Sequence, residues 1–134
     1  MMKQLSIFAE NTKGQFKAIT TILKEYNINI LGSVTNDSAE YGIIRMVVSD
    51  PELAVEKLSA NGYICKTTKV LGIELTDEVG TLNNLLEALF SSNINVNYLY
   101  LSFNRDSGNP IMVLHTDDTY QVENILTAKG FVSV

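Results

Sequence analysis

The stretch GQFKAITTILKEYNIN, Gly14 to Asn29, returns as GTLNNLLEALFSSNIN, Gly80 to Asn95, at a constant offset of 66 residues. Upstream, Leu5 and Ile7 match Leu71 and Ile73 at the same offset; downstream, Asp50, Ala60 and Gly62 match Asp118, Ala128 and Gly130 with the offset grown to 68. The second copy therefore carries a short insertion, and whole units are repeated. A hydrophobic core does not require glycine and asparagine at fixed positions. Their return in the same places points to a repeated loop with a function.

Within the first copy, Gln4 to Ala9 alternates with Leu5 and Ile7 on one face, which is strand periodicity, and Glu10 to Gly14 breaks it. From Gln15 to Tyr26, Phe16, Ile19, Ile22, Leu23 and Tyr26 recur at spacings of three and four, predicting an amphipathic helix with one buried stripe that Asn27 ends. Ile28 to Thr35 and Tyr41 to Val48 flank the turn residues Asp37 to Glu40, predicting a hairpin. Asp50 offers an N-cap oxygen, Pro51 suits the first helical position and Gly62 is a stop signal, so a second helix lies between them. Tyr63 to Thr68 closes the unit as a strand.

The second copy has the same order: strand Leu71 to Thr76, loop Asp77 to Gly80, and a helix stripe of Leu82, Leu85, Leu86, Leu89 and Phe90. Strands Ile94 to Phe103 and Ile111 to Thr116 then flank the longer, more flexible turn Asn104 to Asn109. A last helix follows, capped by Asp117 or Asp118 and stopped by Gly130, and Phe131 to Val134 is the final strand. The reading is α+β: two ferredoxin-like βαββαβ repeats, residues 1–69 and 70–134, each a four-stranded antiparallel sheet with both helices on one face and the other face uncovered. No Gly/Ser/Pro linker separates the repeats, only the strand-like Lys66 to Val70, so the two sheets are expected to join into a larger one.

Composition narrows the function. Apolar residues make up 46% of the chain and charged residues 19%, so part of the apolar surface is expected in contacts between repeats or chains. A net charge of −5 with no basic run disfavours nucleic acid and anionic membrane. No stretch approaches the roughly 18 apolar residues of a membrane span, and the first residues lack an apolar leader and cleavage site; the expectation is a cytoplasmic protein. The single cysteine, Cys65, precludes an intrachain disulfide and a thiolate-rich zinc site, and His115 is the single histidine. No metal, no cofactor and no catalytic residue is expected. Cys65 has no basic partner nearby in sequence and reads as an inert thiol.

The chemistry is expected at the two loops. A glycine at a strand-to-helix turn takes positive φ and leaves backbone N–H groups at the positive end of the helix dipole, a small site for a carboxylate or phosphate. Three residues before each glycine stands Asn11 or Asp77; fifteen after it stands Asn29 or Asn95, and these polar groups are candidates to meet a ligand's ammonium or backbone atoms. Asn11-Thr12-Lys13-Gly14 with Asn27-Ile28-Asn29-Ile30, and Asp77-Glu78-Val79-Gly80 with Asn93-Ile94-Asn95-Val96, resemble the ACT domain, over essentially the whole chain and twice. That loop usually reads Asn/Asp-x-Pro-Gly, and its first helix usually runs into an Asn-Ile-Asn-like strand start. The resemblance implies a regulatory, ligand-sensing module that binds a free amino acid at clefts between ACT units, with Asn11, Gly14 and Asn29, and Asp77, Gly80 and Asn95, as ligand-binding residues.

Lys13 and Val79 depart from the pattern by replacing the proline, leaving the loop less pre-set. The loops also differ in charge, Asn11-Thr12-Lys13 against Asp77-Glu78, so the sites are not expected to be equal: an α-ammonium prefers Asp77, and Lys13 favours a carboxylate. A phosphatase on this fold would need an arginine in its phosphate loop, and Arg45 and Arg105 lie on the hairpins instead. An RNA-binding sheet would need exposed aromatics among basic residues, which the charge balance opposes. The competing reading is a structural or dimerisation module that binds nothing. As an allosteric sensor the chain is expected to be a homodimer whose output passes through its assembly state or a separate partner protein.

Overall fold

The computed structural model describes residues 1–10, 12–36 and 41–134; Asn11 and the expected turn at Asp37 to Glu40 lie outside them. Strands and helices alternate in the order β1 Met2–Glu10, α1 Gln15–Glu25, β2 Ile30–Asn36, β3 Tyr41–Val48, α2 Pro51–Ala60, β4 Ile64–Glu74, α3 Thr81–Ser91, β5 Val96–Phe103, β6 Pro110–Thr116, α4 Thr119–Ala128 and β7 Val132–Ser133. Two compact units result, one of residues 3–68 and one of residues 69–134 together with Met1 and Met2. β4 is one continuous strand through that boundary, where the sequence suggested a closing strand, a connector and a new strand. Lys66 to Val70 contains no residue that would break it.

In the first unit β3 pairs antiparallel with β1 and with β2, placing Leu5 opposite Met46 and Ile7 opposite Ile44. In the second the order is β7, β4, β6, β5, with Leu71 opposite Leu114, Ile73 opposite Met112 and Leu99 opposite Leu114. The duplication extends to an irregularity: the register of β2 shifts between Ile30 and Gly32, and that of β5 between Val96 and Tyr98, 66 residues later. A bulge of this kind is a built feature that bends the strand locally.

Each unit has its own core. Leu5, Ile7, Ile44 and Met46 of the sheet pack with Ile19 and Leu23 of α1 and Ala54 and Leu58 of α2. Leu71, Ile73, Met112 and Leu114 pack with Leu85 and Leu89 of α3 and Val122 and Leu126 of α4. The expected five-residue helix stripes are not buried as wholes. Phe16 and Tyr26 in the first unit, and Leu82, Leu86 and Phe90 in the second, are exposed, because a helix lying on a sheet brings little more than one residue per turn against it. The sheet face away from the helices also differs from expectation. It is not uncovered: Gln4, Ser6 and Val47, and Ile111, Val113, Tyr100 and Ser102, are buried on it. The polar pair is tolerated there because Gln4 Nε2 donates to Ser6 Oγ at 3.3 Å.

Met1 and Met2 belong with the second unit through two contacts. The N-terminal ammonium stands 3.6 Å from Glu123, and Met2 lies over Gly72, where a Cβ would meet its sulfur at 2.3 Å and Val134 at 3.0 Å. The inserted turn of the second copy is pinned. Asn104 Oδ1 accepts from the backbone N–H groups of Asp106 (2.9 Å) and Ser107 (3.1 Å), while the Asn104 and Asn109 amides both donate to the Glu74 carboxylate. The composition of Asn104 to Asn109 suggests mobility only while those partners are unknown.

A buried strand residue and the pinned turn give different expected losses. Ile73→Ala, at a fully buried site, is expected to lower unfolding free energy by about 2–5 kcal/mol. Asn104→Ala is expected to cost about 1–2 kcal/mol, since it removes hydrogen bonds to a charged group at a partly buried site. Urea denaturation followed by circular dichroism measures both; an Asn104→Ala midpoint equal to that of the unsubstituted protein would show the turn to be unsupported by these bonds.

Candidate functional site

Both expected loops start their helices in the same way. Gly14 and Gly80 are the N-caps of α1 and α3 in the left-handed region, with φ of 87° and 93°. Open space surrounds each glycine where a Cβ would stand. The restriction to glycine is therefore conformational, since an L side chain is disfavoured at that φ regardless of room. Among the described residues no side chain caps either helix. The contrast lies within the same molecule: Asp50 accepts from Leu53 N–H at 3.1 Å at the start of α2, and Asp118 accepts from Gln121 N–H at 3.0 Å at the start of α4. Of the four helices among the described residues, two thus carry their own anionic cap and the two that follow the glycine loops do not.

The backbone of the loops is fixed by short turns. Thr12 N–H donates to the Glu10 carbonyl (2.8 Å) and Gln15 N–H to the Thr12 carbonyl (3.2 Å); Glu78 N–H donates to the Thr76 carbonyl (2.9 Å) and Thr81 N–H to the Glu78 carbonyl (3.4 Å). The second loop has an extra tie, because the Thr81 hydroxyl lies 2.9 Å from the Thr76 carbonyl and 3.1 Å from that of Glu78. At the same position in the first copy Gln15 turns away and accepts from the Tyr63 hydroxyl at 3.1 Å. Asp77 is exposed on the same short turn as Gly80. Asn11, its counterpart, lies outside the described residues.

Asn29 and Asn95 occupy the other end of the helix. Eleven residues of α1 separate Gly14 from the segment leading to Asn29, and at about 1.5 Å per residue that is roughly 16 Å; α3 sets the same distance between Gly80 and Asn95. Within one repeat the structure does not bring glycine loop and Asn-Ile-Asn segment together. Asn29 instead pairs with Ser49: its N–H donates to Ser49 Oγ and its carbonyl accepts from Ser49 N–H, both at 2.9 Å. Each of these segments borders a cleft of its own. One of about 560 Å³ is lined by Thr20, Lys24, Asn27 and Asn29, and one of about 270 Å³ by Phe90, Asn93, Ile94 and Asn95.

Asn27 and Asn93, both with φ of 56°, end α1 and α3 in the left-handed region that asparagine tolerates better than other side chains, so their recurrence has a backbone cause. Sequence reasoning missed the pair Lys24 and Phe90. They stand at equivalent positions of the two clefts and make one cationic and the other aromatic; the offset of 66 already aligned them. His115 and Cys65 are engaged by neighbours. His115 stacks on Tyr98, centroids 5.1 Å apart and planes 5° from parallel, and its Nδ1 meets the Asn97 amide at 3.0 Å. Tyr100 is buried, and Cys65 Sγ faces the Val55 carbonyl at 3.8 Å. Among the described residues no three His, Cys, Asp or Glu side chains are grouped to hold a metal, and no helix is long and apolar enough to cross a membrane.

The sequence pattern of the ACT domain pair matches residues 1–133. The chain belongs to that family. Among solved structures, a protein of Bacteroides thetaiotaomicron is 29% identical, superposes with a TM-score of 0.89, and the match covers 99% of this chain and 91% of the other. The ligand-free regulatory subunit of aspartate kinase from Thermus thermophilus is 14% identical with a TM-score of 0.64, covering 94% and 89%. The aspartokinase alpha and beta subunits give 15% and 0.58, covering 96% of each chain. The last two likenesses are of fold. No curated protein matches the chain significantly.

Positive φ at an open position predicts a purely conformational penalty. Gly14→Ala and Gly80→Ala are each expected to cost about 1 kcal/mol, read as a drop of about 3 °C in thermal midpoint. Gly80→Asn is expected to lose less, because asparagine enters the left-handed region more readily. Equal losses for Ala and Asn would show that something other than backbone conformation sets the requirement.

Proposed function

We propose that this ACT domain pair is a regulatory sensor that binds a free amino acid or a related small metabolite, with the Gly14 and Gly80 loops holding the ligand's carboxylate. The observation that carries the reading is the pair of helix starts that no side chain among the described residues caps, beside α2 and α4, which aspartates cap. A carboxylate supplied by a ligand completes at α1 and α3 what Asp50 and Asp118 supply at α2 and α4. The fold shared with the regulatory subunit of aspartate kinase supports a regulatory role over a catalytic one.

In this reading each repeat, residues 1–69 and 70–134, is a four-stranded ferredoxin-like unit with its helices on one face. Asn11, Gly14, Asp77 and Gly80 contact ligand at the loops, and Asn29 and Asn95 contact ligand at the clefts they border. Asp77 is the group that pairs with an α-ammonium, so the second loop is the stronger amino-acid site, while Lys13 biases the first toward a carboxylate. The protein is a cytoplasmic homodimer without catalytic activity, and ligand binding is passed to a partner protein through the population of its states.

Calorimetric titration with the proteinogenic amino acids tests the reading. Heat and thermal stabilisation are expected with at least one of them, and Asp77→Ala is expected to weaken that ligand about tenfold, or about 1.4 kcal/mol, and more than Asn11→Ala does. Silence across the whole panel would favour the structural module instead. Equal losses for the two variants would overturn the assignment of Asp77.

A further inference from the structure

We infer that the second unit carries a proton-operated tie, in which protonation of His115 displaces the Asn97 side chain and frees the segment that enters β5. Asn97 is the extra residue of the β5 bulge, standing between Val96, opposite Thr116, and Tyr98, opposite His115. Its side chain spans to the neighbouring strand: the amide nitrogen lies 3.0 Å from His115 Nδ1 and 3.0 Å from an oxygen of Asp117. These two contacts fix the protonation state. The Asp117 carboxylate is an acceptor only, so Asn97 turns its NH2 group toward it. The second proton of that group points at His115 Nδ1, which has to accept and therefore carries no hydrogen. His115 is neutral in this arrangement, with its proton on Nε2.

A protonated imidazole has donors at both nitrogens, and an Nδ1–H facing an NH2 group makes no bond. Asp117 stands within reach of it, because both residues touch the same Asn97 nitrogen. The imidazolium Nδ1–H pairs with that carboxylate in a charge-assisted bond, and Asn97 loses its place between them. Stacking on Tyr98, with the planes 5° from parallel, holds the ring in position through the exchange. The first unit is an internal control. At the offsets of 66 and 68, Asn97, Tyr98, His115 and Asp117 correspond to Leu31, Gly32, Val47 and Ser49. The register shift is present there too, between Ile30 and Gly32. The bulge therefore forms without any of the four groups, and folding does not explain their joint appearance in the second copy.

Imidazole is the side chain whose ordinary titration falls between about pH 5 and 8, and His115 is the single histidine. The other charges of the second unit near this point are committed elsewhere. Asp118 accepts from Gln121 N–H, Lys69 of β4 donates to the Tyr120 hydroxyl, and Glu74 of β4 is held by Asn104 and Asn109. On β4 the position before Leu71, whose partner is Leu114, is the apolar Val70. His115 follows Leu114, a core residue under α3 and α4, and so faces away from both helices. β2, β5 and β7 contain no charged residue. Asp117 is thus the anion that answers the imidazolium. Asn95, which borders the second cleft, lies two residues before Asn97, so the tie and the cleft share one short segment, and acid loosens it.

The consequence for a ligand at that cleft rests on the proposed function, whereas the tie itself is tested without ligand, so the titration below and the calorimetric screen fail separately. Nuclear magnetic resonance of the isotopically labelled full chain, from about pH 8 down to about pH 5, covers the imidazole range. At the upper end the ring nitrogens of His115 are expected to show the Nε2–H tautomer. As the pH falls, the Asn97 side-chain amide and the backbone amides of Asn95 and Asn97 are expected to shift with the same midpoint as the imidazole. Those of Asn29 and Leu31, the first-unit equivalents, are expected to stay still. In His115→Asn, whose side-chain oxygen accepts at every pH in this range, the Asn97 amide is expected to stop titrating. A neutral His115 protonated on Nδ1 overturns the inference. So does an Asn97 amide that ignores the imidazole midpoint, one that still titrates in His115→Asn, or equal movement of the first-unit amides. The tautomer and the shared midpoint are read on the unsubstituted protein, and they decide the matter even if His115→Asn does not fold.

Discussion

A helix laid across a β-sheet can bury only a narrow arc of its surface, and much of this molecule follows from that limit. On α1 the arc is Ile19 and Leu23; on α3 it is Leu85 and Leu89. These pairs stand one turn apart and meet strand residues whose faces are set by register, Ile7 with Ile44 and Ile73 with Met112. Each unit closes its core on these few contacts. The positions on either side of the arc are released from folding and are free to carry charge, polarity or apolar surface.

The helix ends obey a second constraint, that the first N–H groups need partners. The molecule solves it in two ways. α2 and α4 begin at an aspartate whose carboxylate accepts a backbone N–H, and that solution is complete within the chain. α1 and α3 begin at a left-handed glycine with no side chain to contribute, which keeps the helix start open to solvent and to anything anionic dissolved in it. The distinction is one of local stereochemistry, and it was written twice when the unit was duplicated.

The elements legible in the sequence were those with a local cause. Asp50-Pro51 at one end and Gly62 at the other marked α2, and the structure has the Asp50 carboxylate on Leu53 N–H and Gly62 at φ of 86°. The two glycine turns were legible for the same reason. What the sequence hid depends on partners distant along the chain. Gln4 and Ser6 lie on the sheet face expected to be uncovered, yet they are buried and bonded to each other. Asn104 to Asn109 read as a loose turn until Glu74, thirty residues upstream, is seen to hold it. Within one repeat the helix, about 16 Å long, separates Asn29 from Gly14 and Asn95 from Gly80, a distance that the pattern of residues alone does not display.

The divergence of the two copies sorts positions by what holds them. Gly14 and Gly80, like Asn27 and Asn93, are retained because the backbone at those points lies in the left-handed region, and few other side chains tolerate it. Core pairs such as Leu23 and Leu89 are retained because the arc against the sheet admits no polar group. Lys24 and Phe90 have no such restraint: both leave the helix beside the arc, and one became a cation while the other became an exposed ring. Where two copies of one fold agree, sterics and burial are sufficient reasons. Where they differ, at Lys13 and Val79, Thr20 and Leu86, Lys24 and Phe90, neither reason applies, and what each surface meets in solution is left to account for the residue.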